Sequence, residues 1–65
     1  MTKENIEKFA GENVRLTMID NVVFQGILWF IRYEDENEIN VKSIIIDTQS
    51  FEFCIEHVKS IEIVS

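Results

Sequence analysis

The chain has 65 residues, with six Lys or Arg against twelve Asp or Glu, and a formal net charge of -6. So short a chain buries only about 60% of its unfolded surface, which leaves one core, and we expect a single domain over residues 1–65. One cysteine, Cys54, excludes an internal disulfide, and Cys54 with His57 supplies too few ligands for a structural zinc site. We therefore expect no cofactor and no metal.

Charge and hydropathy also narrow the location and the partners. The start of the chain lacks the charged and then apolar order of a secretory signal, and no uncharged run reaches about 18 residues. These features predict a cytoplasmic protein that does not enter a membrane. The acidic balance disfavours a protein that works by binding phosphates, because nonspecific nucleic-acid affinity comes from Lys and Arg.

The first ten residues differ from the rest of the chain. Ile occurs eleven times and Val six, against two Leu and one Ala, so the aliphatic content favours strands. At the start, however, Thr2 fits a helix N-cap, Ile6 and Phe9 lie one turn apart, and Gly11 fits a left-handed stop. The pattern predicts a short α-helix over residues 3–10, whose apolar stripe packs on the rest of the chain.

Two strands and a tight turn come next. Residues 13–19 alternate between apolar and polar, as a half-buried strand does. Asp20 and Asn21 both tolerate a positive φ and predict a hairpin turn. Residues 22–32 are apolar at both odd and even positions, so both faces of a strand formed by them would be apolar. This predicts one long strand that bends at Gly26, where the missing Cβ permits a bend.

The two sides of this long strand have different expected environments. One side of it should face the barrel interior, and the other should lie under the N-terminal helix or against a partner. By parity, Phe24, Gly26, Leu28 and Phe30 lie on one side of the strand, and Val23, Ile27, Trp29 and Ile31 lie on the opposite side. Parity alone assigns the interior to neither set.

The second half of the chain predicts three more strands. Residues 34–38 hold four acids in five positions and predict a solvated hairpin tip. Strands are predicted over residues 39–46, 51–55 and 61–64, with a connector over 56–60 that has the length of a 3₁₀ turn. Five short sequential antiparallel strands close most economically into a small barrel. The predicted fold is thus mainly β, a short N-terminal helix followed by a strongly bent five-stranded barrel.

The order of elements resembles the Sm and Sm-like barrel family, and SH3-like barrels share the same kind of pattern. The residues that carry the likeness are Val14, Leu16, Asp20, Asn21, Phe24, Gly26 and Leu28, which are similar to the first Sm motif. The resemblance implies a ring-forming RNA-binding protein whose barrels join through the fourth and fifth strands. Some Sm-like proteins, such as the bacterial inhibitors of the Rho terminator, resemble this chain in being small, acidic and partnered with a protein.

The chain departs from the family at the RNA pocket. Asp35 and Asn37 occupy the loop after the second strand with inexact spacing and with other acids around them. After the fourth strand, Glu56 and His57 stand where the family has a basic residue and a glycine. A carboxylate there would repel a phosphate, so the RNA site of the family is not carried over to this chain.

Three functional hypotheses emerge from these patterns. The first is a noncatalytic module that binds a protein with a basic surface, or a second copy of itself along the edge strands at 51–55 and 61–64. Its predicted contact residues are Trp29, Tyr33, Glu34, Asp35, Glu36 and Glu38. The second is an Sm-like RNA-binding ring, with Asp35, Asn37, Lys42 and Lys59 as the contact residues. The third, an enzyme, is disfavoured because the acids crowd a solvated tip and Cys54 lacks an activating neighbour.

Overall fold

The computed structural model describes residues 6–64, and these form five antiparallel strands. The strands are β1 (Asn13–Met18), β2 (Val23–Tyr33), β3 (Val41–Ile46), β4 (Phe53–Cys54) and β5 (Val58–Ile63). A 3₁₀ turn, Ile55–His57, joins β4 to β5. The predicted mainly-β class and the number of strands are therefore confirmed. The predicted strands at 51–55 and 61–64 are displaced, because β4 is only two residues long and β5 begins three residues earlier.

The strands form one sheet in the order β4-β3-β2-β1-β5. Each strand is antiparallel to its sheet neighbours, and β4 and β5 are the two edges. Within residues 6–64, no pairing between β4 and β5 closes the sheet into a barrel. Closure of the barrel thus stays a prediction.

The long strand β2 is shared between two neighbours. Its first half pairs with β1, from Thr17 opposite Val23 to Asn13 opposite Ile27. Its second half pairs with β3, and the register shifts between Leu28 and Phe30. Moving two residues along β2 there corresponds to moving one residue along β3, so β2 has one extra residue, which is the pattern of a β-bulge.

The bulge changes which side chains of β2 face the core. Leu28 is buried before the bulge, whereas Phe30 is 41% exposed after it and Ile31 packs against the core. The predicted grouping of Phe30 with Leu28, and of Ile31 with Trp29, is therefore wrong, since an extra residue at Trp29 reverses the alternation. The predicted single long strand is confirmed.

Gly26 lets a turn approach the backbone of β2. A Cβ at Gly26 would lie 2.7 Å from both Asp47 Oδ1 and Thr48 Oγ1. Asp47 Oδ1 accepts the backbone N–H of Ile27 at 2.8 Å, and the Thr48 hydroxyl donates to the carbonyl of Gln25 at 2.6 Å. The glycine is required because two side-chain oxygens occupy the space beside it.

The predicted N-terminal helix is not supported. Its residues 3–5 lie outside the described residues, and residues 8–11 are in turns closed by i to i+3 hydrogen bonds such as Phe9 N–H to the Ile6 carbonyl at 3.0 Å. Gly11 has the predicted left-handed φ, +79°, and its N–H donates to the Leu28 carbonyl. Ile6 and Phe9 are buried, so the predicted packing of this segment on the sheet is confirmed.

The β1–β2 hairpin matches its prediction. Asn21 has a φ of 71°, and the Met18 N–H donates to the Val22 carbonyl at 2.9 Å. Asp20 Oδ1 accepts the N–H of Val22 at 3.1 Å, which fixes the turn.

The fully buried side chains of the core are Ile6, Val14, Leu16, Leu28, Ile44 and Ile46.

Candidate interaction surfaces

The outward face of β2 carries an apolar surface centred on Trp29. We call it the Trp29 surface and define it as the exposed side chains Val23, Ile27, Trp29 and Phe30. Trp29 is 61% exposed, and its ring centroid lies 5.8 Å from that of Phe30. The bulge produces this pair, because two consecutive side chains point away from the core there. Of the two environments predicted for this side of β2, cover by the N-terminal segment is wrong for Trp29.

Tyr33 is engaged within the chain. Its side chain is half-buried, and its hydroxyl donates to Glu7 Oε1 at 3.0 Å. Partial burial, followed by this hydrogen bond and the charges of Glu7 and Glu38, raises the pKa of Tyr33 above its usual value of 10.0. Tyr33 thus ties the N-terminal segment to the end of β2, and its hydroxyl is occupied in this arrangement.

The acidic tip is an ordered loop around Asp35. Asp35 accepts the backbone N–H of Ile39 at 3.2 Å and the side-chain amide of Asn40 at 3.3 Å. The side chains of the other acids of the tip are exposed: Glu34, Glu36 and Glu38. Asp35 therefore organises the loop, and the three glutamates present the charge.

The four residues of the RNA hypothesis lie in three parts of the chain. Asp35 and Asn37 lie in the loop after β2, whereas Lys59 Nζ lies 3.2 Å from Oδ1 of Asn21, in the turn that precedes β2. The eleven residues of β2 separate these two places. Lys42 lies on β3, where the register with β2 shifts again.

A second apolar feature lies at the other end of β2, between the β1–β2 turn and β4. It is an open groove of about 580 Å³, which we call the Phe51 groove. Its apolar lining residues are Met18, Ile19, Val22, Phe24, Phe51 and Phe53. The ring centroid of Phe53 lies 4.9 Å from the centroid of Phe24 and 4.9 Å from that of Phe51, so the three rings form one cluster.

Sequence reasoning missed the Phe51 groove. The alternation at Phe51 and Phe53 indicated a strand with both rings on one face, and that much of the signal was present. Their approach to Phe24 depends on how β4 lies against β2, which the local pattern does not encode.

Cys54 and His57 each have a separate hydrogen-bond partner. The Cys54 thiol lies 3.6 Å from Glu56 Oε1, and the carbonyl of His57 accepts the N–H of Ile19. Within residues 6–64, no group of three or more His, Cys, Asp or Glu side chains is placed to hold a metal ion. Nor does any helix in the described part of the chain have the length and apolar character needed to cross a membrane.

Comparison of the chain with protein-family models gave no match, and comparisons with curated proteins and with solved structures gave none either. The interpretation of the chain therefore depends on its own fold and surfaces.

Proposed function

We propose that the chain is a small noncatalytic Sm-like interaction module of the cytoplasm, which binds a protein partner or a second copy of itself through the Trp29 surface. The observation that carries the proposal is the exposure of Trp29 and Phe30 side by side on an outward sheet face. Clustered exposed aromatic side chains are the usual anchors of protein interfaces. The free thiol of Cys54 favours a reducing compartment.

The Sm-like part of the proposal is supported by the sheet. A long β2 bridges β1 and β3, and β4 and β5 lie at the two edges, as the resemblance of the sequence implies. Both edges are available to a further strand, because β4 and β5 each pair on one side within residues 6–64.

The acidic tip supports a basic partner. Glu34 begins the tip five positions after Trp29, which corresponds to about 17 Å along an extended strand. An ordinary interface of about 800 Å² per partner is wide enough to cover both features. A partner with an apolar centre and a basic rim would therefore match the Trp29 surface and Glu34, Glu36 and Glu38 together. Self-association must instead overcome a charge of -6 on each copy.

The first experiment compares capture by the wild type with capture by Trp29→Ser. The matched control is Ile63→Ser, since Ile63 is an apolar residue of β5 that is 51% exposed and lies outside the Trp29 surface and the Phe51 groove. We expect Trp29→Ser to weaken binding of the captured protein by about tenfold or more and the control to leave it unchanged. Capture that is equally strong with Trp29→Ser would contradict the proposed surface.

The second experiment uses Trp29 as the probe, because it is the only tryptophan in the chain. Addition of the purified partner should shift Trp29 emission to shorter wavelength and protect it from acrylamide. Sedimentation of the protein alone over a wide concentration range tests the second-copy form of the proposal. A monomer at all concentrations, with unchanged Trp29 emission in every candidate complex, would refute both forms.

A further inference from the structure

We propose that the Phe51 groove is a separate binding site for an extended peptide of another protein, one that carries apolar side chains at alternate positions and a Lys or Arg at its end. The Trp29 surface does not include this groove, so the site goes beyond the function proposed above.

The floor of the groove is built to receive apolar side chains. Phe24 and Phe53 are largely covered, whereas Phe51 is 50% exposed at the mouth. Phe24 and Phe51 meet edge to face at an interplanar angle of 85°, and Phe53 packs against both. These mutual contacts hold the rings in place, so an incoming side chain meets a surface that is already formed. The volume, about 580 Å³, lies in the range of ligand sites.

The charges at the rim select a cation. Two carboxylates line the groove, Asp20 and Glu52, and no Lys or Arg lines it within residues 6–64. Glu52 is paired with Arg32 at 2.8 Å, which leaves Asp20 as the carboxylate that a peptide cation would approach. Asp20 is exposed in the β1–β2 turn, and one of its oxygens accepts the Val22 N–H. The charge of -6 on the chain favours a basic ligand over a second copy.

The position beside β4 favours a peptide over a small molecule. Phe53 and Cys54, the two residues of β4, line the groove together with the preceding Glu52, and β4 pairs only with β3 within the described part of the chain. An edge strand offers backbone groups to an added strand, and alternate side chains of that strand then point to one face. A peptide in the groove therefore combines three sources of affinity, namely apolar contact with the rings, pairing with β4, and attraction to Asp20.

The test uses a set of capped heptapeptides of the type KVTFTVK, in which the three apolar positions vary among Val, Ile, Leu and Phe. Counterparts with Glu at both ends, and counterparts with N-methylated backbones, serve as controls for charge and for strand pairing. Binding is followed by the amide NMR spectrum of the intact protein. We expect the cationic peptides to shift the amides of residues 18–22 and 51–54, and the two control sets to bind about tenfold more weakly or not at all.

Three variants separate the groove from the rest of the surface. Phe51→Ala should weaken peptide binding by about tenfold or more, because it removes exposed ring area without creating a cavity in the core. Phe30→Ala, which changes a ring of similar exposure on the Trp29 surface, should leave peptide affinity unchanged. Asp20→Asn keeps an oxygen for the turn and should lower both the affinity and its dependence on salt.

Four results would overturn the proposal. They are no amide shift with any cationic peptide at about 1 mM, equal binding of the acidic peptides, equal shifts with phenethylammonium alone, and concentration-dependent shifts of the same amides without peptide. The third would assign the groove to a small amine, and the fourth would assign it to a second copy. None of them bears on Trp29→Ser, so failure here is distinguishable from failure of the proposed function.

Discussion

Replacement of Gly26 by Ala tests the close packing between β2 and the turn after β3. The backbone of Gly26 does not have a positive φ, so an alanine would not be strained there. The new Cβ would, however, lie 2.7 Å from Asp47 Oδ1 and from Thr48 Oγ1, and something must move. The hydrogen bonds of those two oxygens to Ile27 and Gln25 resist that movement.

The expected magnitude combines three contributions. Overpacking of this kind costs about 1–3 kcal/mol, and each hydrogen bond that is lost costs about 1 kcal/mol more. Alanine regains about 0.5–1 kcal/mol over glycine within a strand. With one of the two hydrogen bonds lost, we expect Gly26→Ala to reduce the free energy of unfolding by about 1–3.5 kcal/mol. For a domain of this length, whose total is about 3–10 kcal/mol, each kcal/mol lowers the melting temperature by about 4–8 °C.

The assay is urea unfolding of a double-mutant cycle, followed by circular dichroism. The second background carries Asp47→Ala and Thr48→Ala, which remove both oxygens, and there Gly26→Ala should be neutral or slightly stabilising. Gly11→Ala is the control: its φ is +79° and nothing lies within 4 Å of the added Cβ, so it should cost about 1 kcal/mol in both backgrounds. If Gly26→Ala is equally destabilising in both backgrounds, steric crowding by residues 47–48 is not the reason for the glycine.

Three further predictions concern the other features of the chain. The raised pKa of Tyr33 means that the folded state holds the phenol proton more tightly than the unfolded state. The free energy of unfolding should therefore fall as the pH rises above about 10, and the Tyr33→Phe variant should lose this pH dependence. An alkaline titration of tyrosinate absorbance checks the pKa directly, because the chain has one tyrosine. Asp35→Ala should broaden the loop amides and reduce stability by about 1 kcal/mol, whereas Glu36→Ala should change neither; equal effects of the two would contradict the role of Asp35 in the loop. Uridine-rich and adenosine-rich RNA oligomers should not be retarded at low salt, and a salt-sensitive retardation would instead favour the RNA-binding alternative.

The features that could be predicted from the sequence are those fixed by neighbouring residues. The alternation from Asn13 to Met18 and the Asp20–Asn21 turn were both predicted at their observed positions. The length of β2 was also predictable, because an apolar run with both parities indicates a strand that serves two environments.

The features that could not be predicted depend on contacts between distant segments. The bulge at Trp29 arises where β2 leaves β1 for β3, and parity counted along β2 alone grouped Phe30 with Leu28, which is buried. The bend at Gly26 stays a prediction, and the structure gives a separate reason for that residue, the oxygens of the turn more than twenty positions away. The same limit applies to the candidate contact residues. The hydroxyl of Tyr33 donates a hydrogen bond to Glu7, a residue 26 positions away that the local pattern around Tyr33 does not indicate.

The ladder between β2 and β3 contains a pair of extra residues. Trp29 is the extra residue on β2, and Lys42 is the extra residue on β3, since Arg32 pairs with Ser43 and Tyr33 pairs with Val41. Loss of either one alone would remove its own bulge and leave every observed pairing intact. Loss of both together would leave every observed pairing intact in an uninterrupted ladder. During divergence, relatives of the chain can thus lose either position independently, because the pairing of the remaining residues of β2 and β3 does not depend on it.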